Sequence, residues 1–372
     1  MTPADQITLP MPTIRTRIIG PLASAVAVVL VAGPARSDPV PEYGPAQRQC
    51  TINDPEIDEL SGLAALATGE ILLVEDSVPE PGPGSTSILM YRLDALCAVQ
   101  GDVEEFDQDP RDIEDLAFRD GTVWFADIGD NGLSRSTIAL ITVTYDPGQS
   151  ETDEPAPVVY RLAYPDGPRD AEALLLSSDG TPYVVTKDPT GRSEVYRPTG
   201  ALDASAEVAM EKVAELEFPM TGTPGGPIGR AGQVLVTGGA VAADGSHIAL
   251  RTYTDAYVWA MSGSDVAAAL QADPVAVVAL PDAPQGEAIS FAADSRSLLL
   301  GSEGVGSVIT VVPATRPSGE PTTDAAGATQ SEAPSTALAS STPGGTVFAG
   351  LLAVVVATGL IWIVLRVRRR GS

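Results

Sequence analysis

Three glutamates, Glu114, Glu172 and Glu287, each open a short apolar run of one kind, EDLAF, EALLL and EAISF. Carboxyls repeated in this way can hold a hard cation or move protons, depending on what faces them. What faces them follows from hairpin arithmetic, because two strands joined by a turn pair residues whose numbers sum to a constant. Folding about Asp120-Gly121 opposes Glu114 to Asp127, about Asp179-Gly180 opposes Glu172 to Lys187, and about Ser295 opposes Glu287 to Glu303. Two further runs fold the same way, opposing Ser61 to Asp76 and Gly238 to Arg251. Like charges across paired strands destabilise a sheet unless a cation or a base offsets them. With Lys187 and Arg251 the bases at hand, the expected metal set is Glu114, Asp127, Glu172, Glu287 and Glu303, with calcium the ion that suits hard oxygens. Asp76, Asp130, Asn131, Lys187 and Arg251 form the expected ligand-binding set. The segment Asp127 to Gly132 carries part of a calcium-loop pattern but lacks its closing Glu, and Asn131-Gly132 reads first as a turn.

These residues sit on a repeat. Five units of strand, tight turn and second strand begin at Ser61, Glu114, Glu172, Gly238 and Glu287, spaced by 53, 58, 66 and 49 residues. Between them lie runs of Val, Ile, Leu, Tyr and Trp bounded by Gly, Asp and Pro, with helical spacing only at Asp265 to Ala272. Periods near 50 built from hairpins without crossover helices predict an all-β fold, a β-propeller of four-stranded blades. Five blade units are visible, and five or six blades are expected, a sixth being degenerate around 221–236 or absent. The last unit lacks an outer strand, which Gln49 to Asn53 can supply to close the ring. The polar ends of the five hairpins then surround one mouth of a central channel.

Several chemistries are excluded or weak. The single His247 lies just past a turn, at the far end of its hairpin from the polar rim, and no G-x-S-x-G elbow occurs, so serine hydrolysis has no triad to use. Gly222 to Gly232 lacks the Lys-Ser/Thr of a phosphate loop and reads as a connection. Nucleic acid is not an expected partner of a chain with net charge −27, since binding it depends on neutralising phosphates. Cys50 and Cys97 are the only cysteines, and an even count in an exported chain predicts one disulfide.

Export is read from the ends. Arg15 and Arg17 precede an apolar run closed by Gly33 and Ala35, the pattern of a signal peptide over 1–35. Residues 36–313 form the expected propeller ectodomain, and 314–346 a flexible stalk of Ser, Thr, Pro and Ala that cannot bury enough surface to order itself. Residues 347–365 are uncharged and long enough to span a bilayer, and the arginine-rich 366–372 predicts a cytoplasmic tail. The expected localisation is the cell membrane, with the ectodomain outside.

The segments DIEDL at Asp112, WFADIGDN at Trp124, DAEAL at Asp170 and GEAI at Gly286 resemble exported bacterial β-propellers of the broad six-bladed kind, including TolB-like, NHL-like and gluconolactonase or calcium-dependent phosphotriesterase groups. In the gluconolactonase group a Glu opening an inner strand binds a divalent metal in the channel, and Glu114 matches that position. The resemblance assigns no positions here to the group's remaining ligands or its catalytic Asp. Two functions are therefore expected from different classes: a membrane-tethered module that binds an extracellular ligand or partner through its acidic channel face, and a calcium-dependent hydrolase of lactones or phosphoesters. Fold alone does not choose between them.

Overall fold

The computed structural model describes residues 41–76, 87–101, 103–107, 110–146 and 156–315. The expected signal peptide, tail and membrane span, and all but the first two residues of the expected stalk, lie outside them. Among the described residues no helix is long and apolar enough to cross a membrane.

The chain enters through β1 (Glu42–Tyr43) and β2 (Gln47–Thr51), then runs through successive antiparallel meanders. The first blade is β3 (Leu60–Ala65), β4 (Ile71–Glu75), β5 (Ser87–Leu93) and β6 (Glu104–Asp107). The second is β7 (Ile113–Arg119), β8 (Thr122–Asp127), β9 (Ile138–Thr144) and β10 (Val158–Ala163). The third is β11 (Ala171–Leu176), β12 (Pro182–Thr186), β13 (Arg192–Pro198) and β14 (Val208–Glu217). The fourth is β15 (Val236–Val241), β16 (His247–Thr252), β17 (Asp255–Ala260) and β18 (Ala276–Ala279). The fifth holds β19 (Ile289–Phe291), β20 (Leu298–Leu300) and β21 (Val308–Val312), with β2 pairing onto β21 as its outer strand. That is the closure expected from Gln49 to Asn53. A last strand, β22 (Ala314–Thr315), pairs with β1, so regular structure passes the expected boundary at 313 by two residues.

The innermost strands make the ring. β3 packs on β7, β7 on β11, β11 on β15, β15 on β19, and β19 returns to β3. Five apolar clusters fill the five gaps between neighbouring blades, for example Val74, Met90 and Phe125 between the first and second, and Leu63, Leu73 and Ile309 between the fifth and first. The fold is thus an all-β propeller with five blades among the described residues. The stretch around 221–236 is a connection with one 3-10 turn at Gly229–Gln233, because its glycines and prolines leave no alternating apolar face to build a sixth sheet. The expected helical segment is α1 (Val266–Leu270), capped by the Asp265 side chain on the Ala268 amide. One departure from regularity joins two blades at their rims: β10 pairs in parallel with β14.

The hairpin turns carry positive φ at Gly69, Gly121, Gly180 and Gly245, and at Ser295 in the fifth blade. Near those turns the pairing arithmetic holds or slips by one. At the other end each inner strand of the first four blades carries a β-bulge, lying between Leu60 and Gly62, Ile113 and Asp115, Ala171 and Ala173, and Val236 and Gly238. The fifth blade shows the same slip between Ala288, whose carbonyl accepts from Gly301, and Gln285, whose carbonyl accepts from Glu303. The extra residue in each case is Ser61, Glu114, Glu172, Thr237 or the Gly286-Glu287 pair. Consequently Asp127 pairs with Ile113 rather than Glu114, while Gly238 does oppose Arg251. An inserted residue is invisible to sum arithmetic, which assumes an uninterrupted ladder.

Cys50 and Cys97 form the expected disulfide, with Cα atoms 5.7 Å apart. It ties β2 in the fifth blade to the turn after β5 in the first, across the seam where the ring closes. The chain-entropy model gives such a loop, 47 residues in sequence separation, a stabilisation of about 4 kcal/mol. Reduction is therefore expected to shift urea unfolding to markedly lower midpoint, with a slope that rises as the unfolded chain is freed to expand, measured by intrinsic fluorescence; an unmoved midpoint would show that strand pairing alone holds the seam.

Candidate functional site

The bulges explain how acids come to line the mouth. A bulge re-aims side chains and strengthens twist, so the inserted residue and the residue two before it turn toward the axis together. Down the repeat those two columns read Glu59 and Ser61, Asp112 and Glu114, Asp170 and Glu172, Leu235 and Thr237, and Gln285 and Glu287. Backbone bonds place Asp76 opposite Glu59, Gly129 opposite Asp112, Lys187 opposite Asp170 and Glu303 opposite Gln285. Glu114, Glu172 and Glu287 are each at most 5% exposed.

The mouth divides into three parts. On one side stands Lys187, whose ammonium donates to Glu172 at 2.5 Å and to the Tyr253 hydroxyl at 3.4 Å. Burial opposes its charge, but Glu172, Tyr253, Asp170 and Glu287 outweigh that and hold its pKa well above the ordinary lysine value. Glu172 is driven up by burial, against which Lys187 pulls it down, and its Oε2 is buried without a hydrogen-bond partner. Burial, then Glu172 and Asp112, push Glu114 well above the usual carboxylate range; burial and Asp170 raise Asp112 to about 6. Gly129 makes room here, since a β-carbon on it would stand 2.0 Å from a Glu114 carboxyl oxygen.

The second part is structural. Asp127 pairs with Arg135 at 3.0 Å and accepts the amides of Arg111 and Asp112. Asp130 accepts from the amides of Ser134 and Arg135, organising its own loop, and Asn131 is exposed at the loop tip. Arg251 is buried against the carbonyls of Ala288 and Gly301.

The third part is a carboxyl cluster at the seam between the first and fifth blades. One oxygen each from Glu59, Asp76 and Glu303 lies within 4.8 Å of the others, the one such group of three among the described residues. Gln285 donates to both Glu303 and Glu287, at 3.1 Å in the latter case, and Tyr253 donates to Glu287 at 3.4 Å. Burial, with Glu287 and Asp76 adding repulsion, pushes Glu303 up to about 12. Among the described residues no Lys or Arg lies within ion-pair distance of Glu287 or Glu303.

The five carboxyls expected to share one metal therefore do not converge. Asp127 has Arg135, Glu172 has Lys187, Glu114 stands beside those two, and Glu303 gathers with Asp76. At Glu114, the position implied by the gluconolactonase resemblance, the Lys187 ammonium already acts on Glu114, Asp112, Asp170 and Glu172, and a divalent ion beside it would be repelled. The Glu59, Asp76 and Glu303 cluster is the group whose donor set fits a hard cation. Glu59, Asp112, Asp170, Gln285 and Tyr253 were absent from the expected site. The first four were signalled by their recurrence two residues before each unit's opening residue.

No protein-family model matches the chain, and no curated protein does. Among solved structures, an aldose sugar dehydrogenase from Streptomyces coelicolor in its PQQ-bound form aligns at 12% identity over 74% of this chain and 99% of that one, with a TM-score of 0.40. A gluconolactonase from Xanthomonas campestris aligns at 17% identity over 69% and 72%, TM-score 0.36. Virginiamycin B lyase from Staphylococcus aureus aligns at 10% over 73% and 100%, TM-score 0.36. Likenesses this distant carry nothing about the site, and the blade architecture rests on the strand pairings above.

Breaking a buried ion pair from one side leaves an uncompensated charge and costs about 3 kcal/mol or more. Lys187→Met is expected to destabilise the folded chain by that order, and Lys187→Met combined with Glu172→Gln to recover most of it. Urea titrations of the two singles and the double check this; additive losses would mean that the pair does not act as a unit.

Proposed function

We propose that this protein is a binding module whose channel mouth holds a divalent cation, calcium by ligand type, through Glu59, Asp76 and Glu303. The convergence of those three carboxyls, with a proton held on Glu303 by burial and by repulsion from its neighbours, carries the reading. A cation there replaces the proton and turns the repulsion into attraction. Gln285 orients Glu303 and Glu287 for it by donating to both. The module's place is the cell surface, tethered by one C-terminal helix. This part of the proposal is supported by the signal pattern over 1–35 and the apolar run over 347–365. Its ligand is an extracellular molecule or protein.

A second reading is hydrolysis of a lactone or phosphoester at the same place. It is favoured by one observation, that Glu287 and Glu303 are adjacent carboxyls of which one keeps its proton at neutral pH, an arrangement suited to general acid–base work. Turnover of a lactone or phosphoester panel that needs calcium and is lost in Glu287→Gln selects this reading over pure binding.

The protonation of Glu303 fixes the sign of the main test. A carboxyl that titrates near 4.5 unfolded and at about 12 folded carries an extra proton in the folded state throughout that window. The contribution of Glu303 to stability without metal is therefore greatest at the acid end and falls as pH rises through that window. Calcium binding displaces that proton. Calorimetry at neutral pH is expected to show binding whose heat depends on the ionisation enthalpy of the buffer, an affinity that increases with pH, and a melting temperature raised by calcium. Glu303→Gln should abolish the proton release and weaken binding; absence of any heat or melting shift in the parent chain refutes the metal site. Topology is checked separately. Protease applied to wall-stripped intact cells should release a soluble propeller by cutting within 316–346, and full protection would place the ectodomain elsewhere.

A further inference from the structure

Beside the channel mouth lies a cleft of about 380 Å³, between the connection from the fourth blade to the fifth at Pro281–Pro284 and the segment from Leu300 to Val308. Its volume falls in the range of small-molecule sites. Most of its lining is apolar, with Pro281, Ala283, Leu300 and Val305 among the contributors. Two polar groups in its wall are out of keeping with that lining. Arg251 is 1% exposed, and its guanidinium Nε has no acceptor; Nη1 is used by the carbonyls of Ala288 and Gly301. Ser307 is 9% exposed, and its hydroxyl has no partner.

A buried guanidinium normally pairs with a carboxylate, because desolvating it is costly. Among the described residues none lies within ion-pair distance of Arg251, although the mouth next to it is crowded with acids. Burial lowers the pKa of Arg251 to about 10, which leaves it charged at neutral pH. Those acids are engaged elsewhere. Glu287, whose charge acts on Arg251 from beyond ion-pair distance, accepts from Gln285 and Tyr253; Asp282, at the cleft rim, accepts the Gly226 amide, and Glu303 is bound by Gln285 and faces Glu287, Asp76 and Glu59. The cleft thus combines a fixed positive charge, a spare hydroxyl and an apolar wall.

We propose that this cleft binds a small organic carboxylate with an apolar body, its carboxylate meeting Arg251 and Ser307 and its body lying against the prolines, Ala283, Leu300 and Val305. A charge-assisted bond of this kind is strong where water is excluded. Free inorganic phosphate would leave the apolar wall wet, and a neutral analogue would leave the guanidinium without its counter-charge.

The test uses the purified full chain with EGTA present, so that its outcome does not depend on calcium at the carboxyl cluster. Hexanoate, hexanamide and inorganic phosphate are titrated while melting temperature and heat are followed. Hexanoate is expected to bind and raise the melting temperature, with hexanamide and phosphate weaker by roughly tenfold to a hundredfold. Arg251→Gln should remove hexanoate binding. Because Arg251 also caps two carbonyls and that variant can fail to fold, Ala283→Trp serves as the second variant, filling the cleft from its partly exposed wall and leaving Arg251 in place. Loss of hexanoate binding in a folded Ala283→Trp chain supports the proposal. No binding by the parent, equal binding of hexanamide or phosphate, or undiminished binding after Ala283→Trp overturns it.

Discussion

Everything in this molecule depends on how closely five innermost strands meet at one axis, and a single carboxyl holds three of them there. Asp115, on β7, is fully buried. One of its oxygens accepts its neighbour's amide, Leu116 N, at 2.8 Å; the other accepts Leu174 N on β11 at 2.8 Å and Gly239 N on β15 at 3.2 Å. Inner edges of propeller blades present backbone amides that pair with no strand, and burying such donors without acceptors is costly. One acid answers for two of them across three blades. Burial drives its pKa well above the usual carboxylate range while the three amides pull it down, and in either charge state it remains an acceptor. The neighbouring β3 meets the same segment of β7 by means of glycine: a β-carbon at Gly62 would lie 2.4 Å from the Leu116 amide nitrogen. At the hairpin-turn end, Arg119 reaches from the second blade to the carbonyls of Ala242 and Ala243 in the fourth, at 3.4 and 3.5 Å.

A narrow axis has an electrostatic consequence. Side chains that the bulges aim inward are forced within a few ångströms of one another and away from water, so the choice at each carboxyl lies between a base, a proton and a cation. All three solutions are used or prepared for. Lys187 is the base for Glu172, burial and neighbouring acids favour the protonated forms of Glu114 and Glu303, and at the seam of the ring the carboxyls of Glu59, Asp76 and Glu303 leave a place suited to a cation. The seam is also where the disulfide, the closing strand β2 and the β1–β22 pair converge on the fifth blade. A site whose acids repel one another is tolerated there because those covalent and strand connections hold the two blades together independently of it.

The architecture was legible because it is a periodic property. Alternating apolar runs, turns at Asp120-Gly121, Asp179-Gly180 and Asp244-Gly245, and a missing outer strand in the last unit are all visible without coordinates, and they led to the ring closure and the Cys50–Cys97 bond. The site was legible only in part. Glu114, Glu172, Lys187, Asp76 and Glu303 were found because charge at a hairpin end stands out, but their grouping was read from cross-strand sums. A bulge changes those sums by one without leaving a residue that must be glycine or proline. Glu59 carries no such signal, because its own unit opens on Ser61 and the acid itself lies in the column two residues earlier. Ser307 could not be found at all, since an unsatisfied hydroxyl in a cleft is a property of packing between distant segments.

Arg251 shows why the same residue can be located correctly and still be misread. Its position opposite Gly238 follows from the turn at Asp244-Gly245, and the natural inference is a free guanidinium reaching across the channel to an acid. In the fold it points instead into the interface of the fourth and fifth blades, where Gly286 leaves space for it and two carbonyls accept from one of its nitrogens. Carbonyls satisfy hydrogen-bond geometry without neutralising charge. The guanidinium is therefore satisfied as a donor at Nη1 but has no carboxylate at ion-pair distance, only the field of Glu287, within the wall of a cleft whose rim is shared with the carboxyl cluster through Glu303. Positive charge on one side of Glu303 and a cation-suited cluster on the other mean that this one glutamic acid separates two oppositely charged places on the same face.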